Sequence, residues 1–132
     1  MNENISLYSN WWLKPECIEI AKPILQALAE EVKAHEPDTL MYLVNFSRYD
    51  FPNTEIVSEP KTRPGAITFM EKYRSWKAFE DHLYGPIFTK FVADYGHLFV
   101  QAEPAHGEKS KPFTQVVFLD ELAGFRREDN LY

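Results

Sequence analysis

Residues 69–88 place Glu71, Tyr73 and His82 among large rings. Strand alternation puts Phe69, Glu71 and Tyr73 on one face. After a turn at Ser75, helical spacing puts Phe79, His82 and Leu83 on one side. If that side packs on that strand face, an acid, a phenol and an imidazole meet inside an aromatic layer. Ionisable groups are costly to bury unless paired, so the cluster is a candidate catalytic site. An imidazole titrates near neutral pH, which suits His82 to accepting or donating a proton, with Glu71 as its partner. The alternative is a structural Glu71–His82 hydrogen bond that pins the helix to the strand. Tyr73 either stacks on a flat aromatic ligand or packs in the core with its hydroxyl reaching water.

Positioning these groups takes a definite order of elements. Ile5 to Leu13 reads as a strand, with Leu7, Ser9, Trp11 and Leu13 on one face and Tyr8, Asn10 and Trp12 on the other. Trp11 and Trp12 therefore cannot line the same pocket; Trp11 is the candidate for a substrate wall, and core or interface packing is the alternative for either. Pro15 opens a helix whose apolar stripe is Ile18, Ala21, Leu25, Leu28 and Val32. Pro23 should kink that helix or delay its regular part, and Lys33, His35 and Pro37 end it.

Thr39 to Phe46 is a second strand, on which Tyr42 and Asn45 are polar candidates for the pocket. Ser47 to Pro64 is long enough for a functional loop, with Thr54 to Val57 as a short extended piece. Ala66 to Tyr73 forms a third strand and Trp76 to Tyr84 a helix. Gly85-Pro86 breaks that helix, and a second helical stretch runs to Gly96. A polar loop then leads to a fourth strand from Phe113 to Asp120. Strand, helix, strand, strand, helix, strand predicts an α+β, ferredoxin-like βαββαβ domain, with an antiparallel sheet and both helices on one face. The other face would expose more apolar surface than a monomer tolerates, so a homodimer with paired sheets is expected.

Composition narrows the function classes. A chain of 132 residues forms one domain, here 1–132 with a core over about 5–120 and a tail over 121–132. The net charge of −6 argues against phosphate-based binding of nucleic acid. An aromatic content of 15% is high and suits a lined pocket, an interface, or both. Cys17 is the only cysteine, which excludes an internal disulfide and any cysteine-based metal motif. The four histidines have no metal-ligand spacing. No glycine-rich phosphate loop supports flavin or nicotinamide, so neither cofactor nor metal is expected. No signal peptide or membrane span is visible, and a cytoplasmic protein is the expectation.

The ordered set Trp11-Trp12-Leu13-Lys14-Pro15-Glu16, then Glu36-Pro37-Asp38-Thr39-Leu40-Met41-Tyr42, then Glu71-x-Tyr73 with Ala78-Phe79-x-x-His82-Leu83-x-x-Pro86 resembles the antibiotic-biosynthesis monooxygenase domain. That family includes the small quinol monooxygenases. The resemblance implies a dimeric α+β barrel that oxidises a phenol, hydroquinone or polycyclic aromatic with O₂ and without cofactor. His82 would take or orient a proton, Glu71 would partner it, and Tyr73, Trp11, Phe79 and Phe69 would be hydrophobic walls. The tail from Glu121 would reach the partner subunit. The haem-degrading branch relies on an Asn, a Trp and a His where this chain has Ser9, Tyr73 and Val92, so haem degradation is not expected. Two departures stand out: Ile87 where many relatives have a second histidine, and the long loop and tail. The fold also hosts isomerases, cyclases and non-oxidative binding proteins, which keeps that alternative open.

Overall fold

Alternation in the first strand sets the two sides of the molecule. In the computed structural model, which describes residues 3–48, 65–100 and 114–127, strand β1 spans Ile5–Leu13. Leu7, Ser9, Trp11 and Leu13 are buried, while Tyr8, Asn10 and Trp12 on the other face are half-buried. A 3₁₀ turn at Pro15–Cys17 leads into α1, Ile18–His35. Ala21, Leu25, Leu28 and Val32 form its buried stripe, as their spacing predicts. The helix begins before Pro23 and continues through it. Pro23 is exposed, so water can solvate the Glu19 carbonyl that lacks its usual donor.

Strands β2 (Thr39–Phe46) and β3 (Ala66–Tyr73) follow, then α2 (Trp76–Leu83) and α3 (Pro86–Tyr95). After a 3₁₀ turn at Gly96–Leu98 comes β4, Phe99–Val100, and finally β5, Thr114–Leu119. The short β4 pairs Phe99 with Leu13 and Val100 with Trp12, and it is one element more than the sequence pattern predicts. Two residues carry too little alternation to be read as a strand. The extended piece expected over Thr54–Val57 and most of its loop lie outside the described residues, as do Phe113 and the tail beyond Arg127.

The sheet runs β2-β3-β1, with β5 and the short β4 both on the free edge of β1, and every pairing is antiparallel. Setting β4 aside, the order β2-β3-β1-β5 is that of a ferredoxin-like α+β domain. Gly65 lets the chain enter β3. Its φ of +89° suits glycine, and a Cβ there would meet the Leu13 carbonyl oxygen at 2.8 Å.

The main core lies between the sheet and α1 and α3, centred on Trp11, Leu13, Leu25, Leu28, Val32, Ile67, Phe69, Phe91 and Phe99. Burying a side chain the size of Leu25 or Phe69 contributes about 1.5–3 kcal/mol. A second cluster gathers Leu7, Tyr73 and Ala78 under α2. Cross-strand register puts Tyr42, Glu71, Leu7 and Phe118 in one row on this covered face. On the opposite face Leu43, Met70, Tyr8 and Val117 form an apolar row, beside a polar row of Asn45, Thr68, Asn10 and Gln115. Among the described residues no helix is long and apolar enough to cross a membrane.

Candidate active site

Three local features bring the ionisable groups together. Alternation in β3 turns Phe69, Glu71 and Tyr73 inward, all of them buried. Ser75 caps α2 by accepting the Ala78 amide at 3.1 Å, which starts the helix directly behind the strand. Ala78 and His82, one helical turn apart, are the buried residues of α2. Gly85 then joins α2 to α3 so closely that a Cβ would run into the Asp81 carbonyl oxygen. That tight junction returns Phe88 against His82, with ring centres 5.3 Å apart.

Glu71 is 7% exposed and accepts two hydroxyls. Tyr73 donates to Oε1 in a short hydrogen bond, and Ser9 donates to Oε2 at 3.4 Å. Trp11 Nε1 in turn donates to Ser9 Oγ at 3.1 Å, so the chain of donors runs from an indole through a hydroxyl to the acid. Burial raises the Glu71 carboxyl above its ordinary value; the Tyr73 hydrogen bond, the nearby His82 and the Ser9 hydrogen bond oppose that rise. Burial likewise raises the phenol of Tyr73, and the adjacent Glu71 adds to it. Tyr42 is raised by burial, then by Glu71 and Glu36.

His82 is 4% exposed, but its partner is not Glu71. Its Nδ1 lies 2.7 Å from Glu36 Oε1, at the end of α1. The expected Glu71–His82 hydrogen bond is therefore corrected: Tyr73 and Ser9 hold Glu71, and His82 acts on it only through space. His82 is packed among the rings of Tyr42, Tyr73 and Phe88, with centres 5.3–5.5 Å away.

Glu71 and His82 line one cavity with Ser9, Trp11, Phe69 and Phe79. Its volume is about 50 Å³, room for a few water molecules and less than an aromatic ring occupies. Tyr73 is not part of its wall. Its fully buried ring packs edge-on against Phe79 and at a tilt against His82, with centres 5.4 and 5.5 Å away, and its hydroxyl serves Glu71. Tyr73 therefore packs in the core, as its second reading expected, but its hydroxyl meets Glu71 instead of water, and its ring is not on the cavity wall. Asn45 is corrected as well: it is exposed, donates to the Thr68 carbonyl at 3.2 Å, and sits on the opposite sheet face.

Glu36, Ser9 and Phe88 also belong to the site, although the local spacing within residues 69–88 does not single them out. The Glu36-Pro37-Asp38-Thr39 motif was a signal for the first of these. Cys17 is half-buried and packs against the main core. No group of three or more His, Cys, Asp or Glu that could hold a metal ion occurs among the described residues.

Solved structures share this architecture. A candidate antibiotic biosynthesis monooxygenase from Caulobacter crescentus superposes with a TM-score of 0.68 at 21% identity, covering 92% of this chain and 92% of that one. A Pseudomonas aeruginosa protein gives a TM-score of 0.65 at 19% identity, covering 93% and 98%. A second candidate antibiotic biosynthesis monooxygenase, from Bacteroides thetaiotaomicron, gives 0.56 at 23% identity, covering 83% and 97%. No protein-family model and no curated protein matches the sequence, so the likeness rests on structure. The chain has the fold of the antibiotic biosynthesis monooxygenases.

Proposed function

We propose that this chain is a cofactor-independent monooxygenase acting on a small phenol, hydroquinone or polycyclic aromatic. The observation that carries the reading is the placement of a buried imidazole and a buried acid on one aromatic-walled cavity. An electron-rich substrate that loses a proton can reduce O₂ itself. For a ring CH₂ flanked by aromatic groups, one oxygen atom becomes the new carbonyl. The other leaves as water with the two hydrogens, and the substrate supplies all the electrons. His82 takes the proton, and Glu71, held by Tyr73 and Ser9, stabilises the resulting imidazolium. Trp11, Phe69 and Phe79 exclude water. Admitting a ring to so small a cavity requires the half-buried Phe79, Leu83 and Phe88 to move outward. In this reading a second copy covers the outer sheet face as a homodimer.

The test is O₂ uptake with a panel of hydroquinones and anthrones, without added metal or flavin. His82→Gln should cut turnover by about 10²-fold or more while leaving the melting temperature nearly unchanged. Full turnover in that variant assigns His82 a purely structural part.

A second reading draws on the small cavity and on the Glu36–His82 bond, which also ties α2 to the end of α1. It is a non-oxidative binding protein, isomerase or cyclase on the same fold. Calorimetric binding or conversion of an aromatic ligand without O₂ consumption would favour it.

A further inference from the structure

His82 lies between two spaces. On one side is the cavity shared with Glu71; on the other is an open surface cleft lined by Glu36, Thr39, Ala78 and Asp81. Its Nδ1 is committed to Glu36 on the cleft side, and the second ring nitrogen diverges from the first. Among the described residues Nε2 has no hydrogen-bond partner.

Glu36 is held independently of His82. It is the first residue past α1, and its amide closes the helix on the Val32 carbonyl at 2.9 Å. Its own carbonyl accepts the Thr39 amide at 3.0 Å, and Thr39 Oγ1 donates to Glu36 Oε1 at 3.3 Å. One oxygen of Glu36 thus receives both the Thr39 hydroxyl and the His82 ring. With the Thr39 hydroxyl and the imidazole both directed at it, this carboxylate oxygen acts as an acceptor, so the proton of that ring contact belongs to Nδ1. The other titratable groups around the ring are Glu71 and Tyr73 from β3 and Tyr42 from β2.

We propose that Glu36 is the positioning residue of this site: it fixes His82 in the Nδ1–H tautomer and leaves Nε2 as the base directed at the cavity. The catalytic part of this rests on the monooxygenase reading; the tautomer does not. In the reaction, the substrate hydroxyl or CH gives its proton to Nε2 and keeps the electron pair. The imidazolium retains its Nδ1–H bond to Glu36, whose negative charge offsets the new positive one. The Nε2 proton is then handed to the reduced oxygen atom in the cavity, which leaves as water carrying both substrate hydrogens, and the ring is neutral again. Orientation by an acceptor on the far nitrogen is a general way to hold a histidine base.

The test is nitrogen-15 NMR of the histidine rings in the full chain, with the His82 signals identified by their loss in His82→Gln. At a pH where the ring is neutral, the wild type should carry its proton on Nδ1, the reverse of what an unconstrained histidine favours. A proton on Nε2 overturns the proposal, and this measurement needs no Glu36 variant to fold. Glu36→Ala should release the ring to a mixture of tautomers. Glu36→Gln should restore Nδ1–H, because its amide oxygen can take the position that Thr39 and His82 both donate to. An unchanged tautomer in Glu36→Ala also overturns it. On any substrate the wild type turns over, Glu36→Ala should lower kcat about tenfold or more with little change in KM, and Glu36→Gln should recover most of it. An altered tautomer with full kcat removes Glu36 from catalysis. A wild type that turns over no aromatic, yet holds the Nδ1–H tautomer, removes the monooxygenase reading and leaves the positioning intact.

Discussion

Phe69 and Met70 are neighbours in β3 with opposite surroundings: Phe69 is 2% exposed, and Met70 is 46% exposed. The same contrast runs through the sheet. Toward the helices, every second residue builds the cavity and its hydrogen-bonded acid; away from them, the alternate residues form rows that touch solvent. Strand alternation makes one segment serve two purposes, and the two faces answer to different forces. On the covered face, each buried polar group must find a partner within the chain, as Glu71, Tyr73 and Ser9 do. On the open face, the apolar row of Leu43, Met70, Tyr8 and Val117 has no such cover among the described residues.

The largest effect is expected on the open face. If a second copy covers it, Met70→Arg buries an unpaired charge in the interface at a cost of about 3–5 kcal/mol. That weakens association a hundredfold or more. Light scattering should then fall from about twice the 15.5 kDa chain mass to a single copy, with the fold retained. A wild type that is already monomeric would leave the open face a solvated surface and end its contrast as an interface.

The covered face should respond through its acid. Tyr73→Phe keeps the ring volume and deletes the donor to Glu71, which should cost about 1–3 kcal/mol in urea unfolding. Glu71 also predicts a pH dependence. Burial raises its folded pKa from the ordinary 4.5, so between those two values the folded state binds more protons than the unfolded one. Stability should accordingly fall as pH rises through that window. Glu71→Gln has no proton to lose and can still accept one hydroxyl. Its melting temperature should be flatter than wild type as pH rises above the ordinary carboxylate range, with the difference growing until the buried acid has lost its proton. A parallel pair of profiles would mean that the acid is not penalised by burial.

The legible parts of this molecule are those governed by local period. The bounds of β1, β2 and β3 follow from alternation, and those of α2 and α3 from Ser75, Gly85 and Pro86, each a stop or start with a steric or hydrogen-bonding reason. Glu71 and Tyr73 sharing a face follows from the same rule. The partner of His82 does not, because Glu36 lies 46 residues away at the end of another helix. Local spacing puts a histidine on a face; the packing of α2 over the β2 edge decides which acid it meets. Tyr42 and Asn45 show the reverse case. They are three residues apart in one strand, so alternation already forbids them a common face, and the structure puts Tyr42 inside and Asn45 outside. The irregularity between Thr39 and Met41 is invisible in the sequence, yet it lets Thr39 face inward beside Tyr73.

The smallest effect belongs to Asn45, and it makes the finest test of the contrast between faces. Its side chain donates to the Thr68 carbonyl at 3.2 Å, and Thr68 Oγ1 donates to Asn10 Oδ1 at 2.9 Å, so the polar row is linked across three strands. In the isolated chain this row meets water, and Asn45→Ala should change stability by no more than about 0.5 kcal/mol. Under a second copy the same hydrogen bond is shielded, and its loss should cost about 1 kcal/mol. Measuring Asn45→Ala alone and in the Met70→Arg background separates the two cases, since coupling appears only if both residues share the covered surface. Equal costs in both backgrounds would place the polar row outside any interface, even if Met70 lies within one. Turnover should be unaffected in either background, because Asn45 has the whole sheet between it and the cavity. A drop in turnover without a loss of stability would mean that the two faces are not independent, and the contrast drawn from Phe69 and Met70 would fail at its functional end.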